Sequence, residues 1–588
     1  MATTSRTIER TAVLAAAPWL DHYPRWVPST LRYPSVPAWR LLERAAEEHP
    51  QRIACWFFDA SLTYRELFDA ARRAASALLR LGVRRGDRVG ILLPNTPEYL
   101  IALNGIWMAG GVAMAISPLM VAEEVSALLE ATECRAVVGL DILAPLLFEG
   151  PYRPELVLLT TLEDRLPHWK RMAYPFARRK HTGRWRRTPS KGIYEFDEEL
   201  RRSSPVPRTI RRVTSDSPAL VQPTGGTTGR PKAVVLTHGN VVGNAWQLRH
   251  WIKADCGRET VLAVLPFFHS YGLSTCVTNG AALAATVILH PRYETRAAIG
   301  LIERHRPTLF PAVPAMLAAM NHRLEHRPAD LSSLRFVISG GAPLDPAVGR
   351  RFAELSGATV VEGYGLSEAG PVTHSGPLDG NARPGSIGIP LPDTDARLVD
   401  AETGSTDVAP GEVGELVVRG PQVMQGYWNF PEETARVLRD GWLFTGDLAT
   451  CDADGFFRIV DRKKDLIITS GFNVYPGEVE DVLRRCPGVA DAAVVGVADA
   501  ARGQVVKAIV VTKPGATFDK RALDDYCRKH LAKHKRPRIF EPADGDLPRN
   551  FLGKVLRRRL REGGVEHAVE QMIEAEQETE DGQSVDEV

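Results

Sequence analysis

The chain of 588 residues is too long for one compact core, so its length predicts several separately packed units. Hydrophobic residues make up 44% and charged residues 24%, which are the proportions of a folded soluble protein and exclude a largely disordered one. The formal net charge of +2 excludes a protein-wide field that would attract nucleic acid or membranes, so any such attraction is local.

The cysteines and the N-terminal residues indicate in which cellular compartment the protein is expected. The seven cysteines are scattered and odd in number, and no C-x-x-C pair occurs. This pattern favours reduced thiols in the cytoplasm over a disulfide scaffold or a zinc site. An apolar run at residues 11–20 follows Arg6 and Arg10 as in a secretory signal, but Glu9 and the lack of a clear cleavage site argue against one. We therefore expect a cytoplasmic protein.

In chain order, the first strong pattern lies at residues 62–137. The helical periodicity of TYRELFDAARRAASALLRLG precedes a short apolar strand, RVGILL. Residues 99–122 then carry no charge and are long enough to span a bilayer, so a membrane helix is one alternative. Gly110, Gly111 and Pro118 interrupt the run and favour a buried helix, a turn and a buried strand.

The same alternation returns in ETVLAVLPF, ATVILH, RPTLFPAVPAML, LRFVISG and ATVVEGYG. Helices that alternate with β-branched apolar runs predict an α/β fold with mostly parallel sheets. We expect one large N-terminal domain of stacked mixed sheets and helices over residues 1–460.

The pattern changes towards the C-terminus. The charged stretch DRKKD at residues 461–465 predicts an exposed hinge, and the strands and helix that follow predict a small mobile α+β domain over residues 466–564. The last 24 residues, 565–588, contain nine acidic residues and neither Lys nor Arg. They predict a helix that frays into a solvated acidic tail.

Residues 165–191 differ from the rest of the chain in charge. They contain ten Lys or Arg and no acidic residue, interleaved with four aromatic residues. Basic residues mixed with aromatic ones are typical of contact with an anionic membrane surface, or with nucleic acid, which is the weaker alternative. An exposed loop whose charges are simply solvated explains the pattern equally well.

The stretch PTGGTTGRPK at residues 223–232 has the composition of a phosphate-binding loop. Its hydroxyls and flexible glycines are Thr224, Gly225, Gly226, Thr227, Thr228 and Gly229. Glycines let backbone N–H groups approach an anion closely. The loop does not match G-x-x-x-x-G-K-[ST], because two residues separate Gly229 from Lys232. It is consistent with holding a departing pyrophosphate, with an ordinary glycine-rich turn as the alternative.

This loop resembles the signature loop of the adenylate-forming superfamily, which includes acyl-CoA synthetases, adenylation domains and luciferases. Further motifs of that family follow in its order: PFFHSYG at 266–272, SGGAPL at 339–344, EGYGLSEAGP at 362–371, GELVVRGPQVMQGYWNFPEET at 414–434, GWLFTGDL at 441–448, DRKKDLIITSGFNVYPGEVE at 461–480 and LPRNFLGKVLRRRLR at 547–561. The resemblance covers nearly the whole chain. It implies activation of a carboxylic acid by ATP, with the loop holding the β- and γ-phosphates that leave.

The resemblance also implies which residues bind ATP and Mg²⁺. Glu368 would hold Mg²⁺ with Thr227, and Asp447 would accept hydrogen bonds from the ribose hydroxyls with help from Arg462. The other implied nucleotide contacts are Lys232, Gly341, Ala342, Pro343, Gly363, Tyr364, Gly365 and Ser367. Among these, Tyr364 would stack on the adenine.

Two steps are implied, in which an acyl adenylate forms and then passes its acyl group to CoA. Lys554 would act on the α-phosphate and the substrate carboxylate in the first step. His269 would lie beside the acyl pocket, where a gating or orienting role is favoured and proton transfer stays open. Lys464 matches the hinge position about which the small domain would swing, and Gly471 would let the narrow pantetheine arm of CoA pass close to the backbone.

Finer similarity near the N-terminus and in QPTGGTTG, VTHSGP and VDRKKDLIITSGFNVYP points to bacterial long-chain fatty acyl-CoA synthetases. A fatty acid is therefore the expected substrate. An aromatic or fused-ring acid and transfer to a carrier protein are the alternatives.

The basic segment would place the protein at the inner face of the cell membrane. No nucleic acid partner is expected, and the oligomeric state is open, a homodimer included. Ser367 replaces the usual Thr, and Ala233 the usual Gly after Lys232, which puts rates in doubt but not the reaction.

Overall fold

The computed structural model describes residues 17–182, 192–206, 213–224, 232–469, 472–499, 502–543, 545–550 and 553–561. The chain divides into two compact units. The larger unit comprises residues 1–396, 418–444 and 454–456, and the smaller one comprises residues 397–417, 445–453 and 457–588. The predicted α/β fold class, with a large N-terminal domain of mixed sheets and helices and a smaller C-terminal one, is confirmed.

A nine-stranded sheet forms one layer of the larger unit. Its strands lie in the order Ile389–Pro390, Val372–Ser375, Thr359–Gly365, Phe336–Ser339, Leu309–Ala312, Thr260–Ala263, Thr286–Leu289, Ile53–Phe57 and Ala60–Thr63. The six central strands are parallel, and the edge strands are antiparallel. The carboxyl ends of parallel strands lie at one edge, where ligands of open α/β sheets usually bind.

An eight-stranded sheet forms the second layer. Its order is Gly426–Tyr427, Lys232–Thr237, Pro218–Thr224, Val112–Ala115, Arg88–Leu92, Ala136–Leu140, Leu156–Thr160 and Ile193–Glu195. The first three strands are antiparallel, and the rest pair in parallel. The two-residue strand at 426–427 joins this sheet from a distant part of the chain.

Helices connect most of these strands. In the larger unit they are Arg40–Glu48, Tyr64–Arg80, Pro97–Ala109, Ala122–Ala131, Pro145–Phe148, His168–Thr182, Phe196–Arg202, His238–Trp251, Ser270–Gly272, Asn279–Ala282, Thr295–His305, Pro314–His326, Pro346–Ser356 and Pro431–Val437, with a π-helical stretch at Leu273–Thr278. Local sequence explains several starts. Thr63 and Glu66 form a capping box at the second helix, and proline begins five of the others, where its fixed φ suits the first turn.

The uncharged run at residues 99–122 folds as a buried helix, a turn and a strand. The helix Pro97–Ala109 is buried at every position and ends at Gly110, whose φ of 83° is left-handed. Val112–Ala115 follows as a fully buried strand. Thirteen residues of helix reach only about 20 Å, short of the ~30 Å of a bilayer core. None of the helices in the described part of the chain combines the length and the hydropathy that a bilayer span requires.

Five further strands form one sheet in the order Asp395–Val399, Gly414–Arg419, Trp442–Cys451 and Leu438–Arg439, and Phe457–Arg462 pairs with Trp442–Cys451. Asp447 pairs with Arg462 in the antiparallel ladder between Trp442–Cys451 and Phe457–Arg462. A short 3₁₀ helix at Lys463–Asp465 follows directly.

The smaller unit contains a separate sheet with the order Phe472–Val474, Ile467–Thr469, Gly503–Thr512 and Val489–Asp499, and Ile539–Pro542 pairs with Gly503–Thr512. Its helices are Pro476–Arg484, Lys520–His530 and Arg557–Arg561. Val479, Leu483 and Cys527 are buried from the first two helices against Val494 and Val510 of the sheet. The unit therefore has a hydrophobic core of its own.

The basic segment is helical over His168–Thr182. Tyr174 and Arg178 are buried, and both contact Asp141: the Tyr174 hydroxyl donates at 2.6 Å and Arg178 Nε at 2.7 Å. Arg178 Nη2 also lies 3.0 Å from Glu163. The expectation of a loop with merely solvated charges is therefore wrong for this part, because one face of the helix is held in the protein. Residues 183–191 lie outside the described ranges.

Candidate active site

The predicted phosphate loop is closed at its base by two paired strands. Thr224 ends one strand and Lys232 begins the next, and the Thr224 hydroxyl donates to the Lys232 carbonyl at 3.2 Å. The predicted loop residues Gly225, Gly226, Thr227, Thr228 and Gly229 lie outside the described residues, as does Gly471 of the smaller unit. The pairing of Thr224 with Lys232 therefore holds the two ends of the loop together.

Lys232 is held between an acid and an aromatic ring. Its Nζ lies 2.6 Å from Glu433 Oε2 and 5.6 Å from the centre of the Tyr427 ring. Both side chains of the ion pair are mostly buried, at 21% and 28% exposed. A lysine ammonium within about 6 Å of an aromatic face is attracted by the ring. The site therefore presents a positioned cation at the base of the loop.

Glu368 lies in a short 3₁₀ helix, Ser367–Ala369, that follows the strand Thr359–Gly365. Its Oε1 accepts a hydrogen bond from the Tyr427 hydroxyl at 2.8 Å, and its carbonyl accepts one from the backbone N–H of Met424 at 2.8 Å. The hydroxyl of the preceding Ser367 lies 3.1 Å from that of Ser270, which links this motif to PFFHSYG. The carboxylate is thus fixed in a half-buried position.

His269 is the N-terminal cap of the short helix Ser270–Gly272, and its Nδ1 accepts the N–H of Tyr271 at 3.2 Å. Burial lowers the pKa of His269 to about 4. The imidazole is therefore neutral near pH 7 and cannot supply a positive charge there. This favours an orienting role.

The SGGAPL motif follows the parallel strand Phe336–Ser339, so Gly341, Ala342 and Pro343 lie at the carboxyl edge of the nine-stranded sheet. The Tyr271 hydroxyl donates to the Ile338 carbonyl at 2.8 Å. A Cβ atom on Gly340 would lie only 3.0 Å from that tyrosine ring, and glycine therefore permits the close packing. Two of the predicted motifs meet at this contact.

The neighbouring strand Thr359–Gly365 contains the second predicted adenine segment, with Gly363, Tyr364 and Gly365 at its carboxyl end. The Tyr364 ring packs edge-on against His374, with 5.9 Å between ring centres. A Cβ on Gly365 would meet the Pro371 carbonyl oxygen at 2.1 Å, so only glycine fits this turn. Parallel strand order therefore brings the two segments to one edge.

In the smaller unit, Asp447 and Arg462 face each other across paired strands, and Arg462 Nε lies 3.3 Å from Asp447 Oδ1. Asp447 is buried, and its backbone N–H donates to the Thr445 hydroxyl at 3.1 Å. Lys464 lies in the 3₁₀ helix that follows and is exposed. The predicted ribose pair is therefore assembled within this unit.

Lys554 belongs to a tight turn of the same unit. Its backbone N–H donates to Asn550 Oδ1, and its carbonyl accepts the Asn550 N–H, both at 2.9 Å. Gly553 before it has a left-handed φ of 80°. Burial, and then the positive charge of Arg462, lower the pKa of Lys554 to about 8, while Asp447 opposes the shift. The lysine thus shares an electrostatic environment with the Asp447–Arg462 pair.

Within the larger unit, the fold brings together the motifs that contain Lys232, His269, Glu368 and Tyr364. Within the smaller unit, it brings together Asp447, Arg462 and Lys554. The sequence analysis assigned no role to Tyr427 and Glu433, which contact Glu368 and Lys232, or to Arg557, whose positive charge acts on Lys554. Tyr427 and Glu433 lie in the quoted motif GYWNFPEET, so the signal was present but did not reveal their partners.

Comparison with known proteins assigns these motifs to a family. Residues 42–428 match the family model described as AMP-binding enzyme, and residues 478–554 match the one described as AMP-binding enzyme C-terminal domain. A long-chain-fatty-acid–CoA ligase of Bacillus subtilis strain 168 is 39% identical over 555 residues, which cover 94% of this chain and 98% of the relative. A feruloyl-CoA synthase of Amycolatopsis sp is 36% identical over 520 residues, which cover 88% and 97%.

Solved structures agree with this assignment. The ATP-bound crystal structure of MatB from Rhodopseudomonas palustris superimposes with a TM-score of 0.76. Its sequence is 30% identical, and the match covers 90% of this chain and 99% of that one.

Proposed function

The chain belongs to the AMP-binding enzyme family, and on that basis we propose that it joins a long-chain fatty acid to the thiol of CoA through an acyl adenylate. It is an ATP-dependent, AMP-forming acyl-CoA ligase that uses Mg²⁺ and CoA. The observation that carries the choice of substrate is the 39% identity to a long-chain-fatty-acid–CoA ligase over 94% of this chain.

Glu368 fits a Mg²⁺ site on the chemistry of its donor atoms. Mg²⁺ takes oxygen ligands and is usually held by one or two carboxylates together with substrate phosphates. The Glu368 carboxylate is half-buried, and the Tyr427 hydroxyl donates to only one of its two oxygens. Glu368 would hold the ion, which neutralises phosphate charge when bound.

In the first step, the fatty acid carboxylate bonds to the α-phosphorus of ATP, and the bond from that phosphorus to the bridging oxygen breaks to release pyrophosphate. Both reactants are anions, so positive charge must be present where negative charge accumulates. Lys554 supplies it to the α-phosphate and the carboxylate. Lys232 and the loop that begins at Thr224 hold the phosphates that leave, and Asp447 with Arg462 orients the ribose.

In the second step, the sulfur of CoA bonds to the acyl carbonyl carbon, AMP leaves with the electron pair of the carbon–oxygen bond, and the thiol proton is lost to solvent. We assign Lys464 to the hinge that separates the two steps and Gly471 to the path of the pantetheine arm. His269, which is neutral, orients the acyl group beside the nucleotide.

A panel of acids tests the substrate. Pyrophosphate release is measured with and without CoA for carboxylic acids from short to long chains and for ferulate. We expect the highest kcat/KM for chains of about twelve carbons or more, because the apolar transfer energy rises by about 0.8 kcal/mol for each buried CH₂ group. A maximum at short acids would contradict the assignment.

An aromatic acid is the second candidate. The 36% identity to a feruloyl-CoA synthase over 88% of this chain favours it. The same panel separates the two, since an aromatic ligase would prefer ferulate to every alkyl acid in it.

We also propose contact with an anionic membrane through residues 165–191, at the inner face of the cell membrane. On the helix His168–Thr182, Met172 is 74% and Phe176 66% exposed, and their spacing of four places them on one face. Arg171, Arg179 and Lys180 are exposed beside them. An apolar stripe flanked by cations is typical of helices that lie in a membrane interface.

Vesicle sedimentation tests this contact. The double variant Met172→Ala/Phe176→Ala should lower the fraction bound to vesicles with about 30% phosphatidylglycerol roughly tenfold, because two apolar side chains lose their burial in lipid. The matched control is Leu119→Ala/Val121→Ala, which removes two other exposed apolar side chains of the same unit. Equal binding by both variants would rule out this surface.

A further inference from the structure

Four side chains from three distant stretches of the chain form a continuous series in the larger unit. Glu433 holds the Lys232 ammonium at 2.6 Å, and that ammonium lies 5.6 Å from the centre of the Tyr427 ring. The Tyr427 hydroxyl donates to Glu368 Oε1 at 2.8 Å. The series therefore connects the base of the phosphate loop to the carboxylate proposed to hold Mg²⁺.

Strand pairing places Tyr427 in this series. The strand Gly426–Tyr427 pairs antiparallel with Lys232–Thr237, so that Tyr427 lies opposite Val234. The N–H of Trp428 donates to the Ala233 carbonyl at 2.8 Å, which extends the pairing towards Lys232. The tyrosine is thus fixed beside the loop by backbone contacts.

The helix Pro431–Val437 constrains the backbone of Tyr427 and of Gly426 before it. The Tyr427 N–H donates to the Thr434 hydroxyl at 2.9 Å, and a Cβ on Gly426 would lie 2.8 Å from the Thr434 methyl group. Thr434 belongs to the helix Pro431–Val437, which also contains Glu433. The ring, the helix and the ion pair therefore form one packed assembly.

The hydrogen bond has a defined direction. An ionised carboxylate has only acceptors and a phenol hydroxyl has one proton to donate, so the Tyr427 hydroxyl is the donor to Glu368 Oε1. A carboxylate can accept at two oxygens, and a donor fixed on Oε1 sets the plane of the group. The Met424 N–H fixes the backbone of Glu368 at the same time. Together the two contacts hold the carboxylate, and with it Oε2, in one orientation.

We propose that Tyr427 is a positioning residue for Mg²⁺-nucleotide binding: its hydroxyl holds Glu368 Oε1 and so keeps the carboxylate in the orientation in which it would serve as the metal ligand. This rests on the proposed function, in which Glu368 is the Mg²⁺ ligand. Without the hydroxyl, the carboxylate rotates among several orientations and binds the ion more weakly. Preorganised ligands reduce the entropy lost on binding.

Tyr427→Phe tests the role, because it removes one oxygen and keeps the ring beside Lys232. Calorimetric binding of ATP is measured at increasing Mg²⁺ concentration, in the absence of fatty acid and CoA. We expect the Mg²⁺ concentration for half-maximal ATP binding to rise about tenfold, because the variant loses a hydrogen bond to a charged group. The matched control is Tyr64→Phe, whose fully buried hydroxyl donates to the Ala285 carbonyl at 2.7 Å. It should leave the Mg²⁺ requirement unchanged.

Two further variants separate this inference from the proposed function. If Glu368→Gln leaves the Mg²⁺ requirement unchanged, the assignment of Glu368 fails. If Glu368→Gln raises the requirement and Tyr427→Phe does not, only the role of Tyr427 is wrong. Since Tyr427 acts through Glu368, the double variant should bind as Glu368→Gln alone does. Additive effects would overturn the inference.

Discussion

Arg557 donates to both carboxylate oxygens of Glu480, with its Nη2 atom 2.8 Å from Oε1 and 2.9 Å from Oε2. Glu480 is 3% exposed, and its Oε1 also accepts the N–H of Val494 at 2.9 Å. Arg557 Nη1 lies 3.5 Å from both Asp461 and Asp465. This buried cluster therefore ties the turn that contains Lys554 to the sheet and helices of the smaller unit.

We expect Arg557→Ala to lower the free energy of unfolding of the smaller unit by about 2–4 kcal/mol, because it removes the closer cation of buried Glu480 and leaves that carboxylate only Arg484 at 3.3 Å. Urea unfolding followed by circular dichroism measures the loss. The control is Arg528→Ala, which breaks a pair with Asp524 one helical turn away on the protein surface and should cost much less. Similar losses in the two variants would mean that the buried cluster contributes no more than a surface pair.

The pKa of Lys554 predicts a pH dependence of adenylation. Burial lowers this pKa to about 8, so the ammonium is present below pH 8 and is lost above it. If the cation stabilises the transition state, pyrophosphate release should fall about tenfold for each pH unit above 8. Lys554→Arg keeps its charge at these pH values and should remove the fall, though at a lower rate, since guanidinium and ammonium differ in shape. A fall that persists in Lys554→Arg would assign the titration to another group.

Lys554→Met should separate the two half-reactions and also stabilise the protein. We expect adenylation to fall by about 10²-fold or more, while transfer from supplied acyl adenylate to CoA is spared.

The folded state holds this lysine with a pKa below its unfolded value, so folding disfavours the charged form at neutral pH, and the penalty disappears between about pH 8 and 10.5. Removal of the charge should therefore raise the free energy of unfolding at pH 7 by about 1–3 kcal/mol. Equal loss in both half-reactions would contradict the role in adenylation.

The sequence predicted local structure well and distant partnerships poorly. Periodicity correctly predicted the buried helix Pro97–Ala109 and the strand after Gly110, because both depend on neighbouring residues. The hydrogen bond from Tyr427 to Glu368 depends instead on a two-residue strand that pairs with a strand about 190 residues earlier. No local pattern specifies such a pairing.

Charge patterns misled for the same reason. Ten cations at residues 165–191 suggested a solvated loop as readily as a binding surface. The structure buries Arg178 against Asp141, which precedes it by 37 residues. The number of Lys and Arg residues in the segment therefore exceeds the number of cations exposed to solvent. Only tertiary contacts show which of these cations are buried in ion pairs.

Three buried histidines predict acid sensitivity in the larger unit. Burial lowers the pKa of His269 to about 4, and of His238 and His374 to about 3. Unfolded histidine titrates near 6.5, so below that pH the unfolded chain takes up protons that the folded chain does not. The contribution of these histidines to the free energy of unfolding is therefore fully present above about pH 6.5. It falls as the pH drops towards 4, by up to about 1.4 kcal/mol per pH unit for each histidine.

Urea unfolding at pH 7.0 and 5.5 measures this slope. His238→Gln should remove about one third of the histidine contribution, because it replaces the ring whose Nδ1 accepts the Ala38 N–H at 3.0 Å with a side chain that does not titrate. The control is His326→Gln, which makes the same exchange at an exposed position of the helix Pro314–His326. The same pKa values imply that His269 does not titrate between pH 5 and 8. An inflection of kcat/KM near pH 6.5 that disappears in His269→Gln would show a protonated imidazole and contradict its assignment as a neutral orienting group.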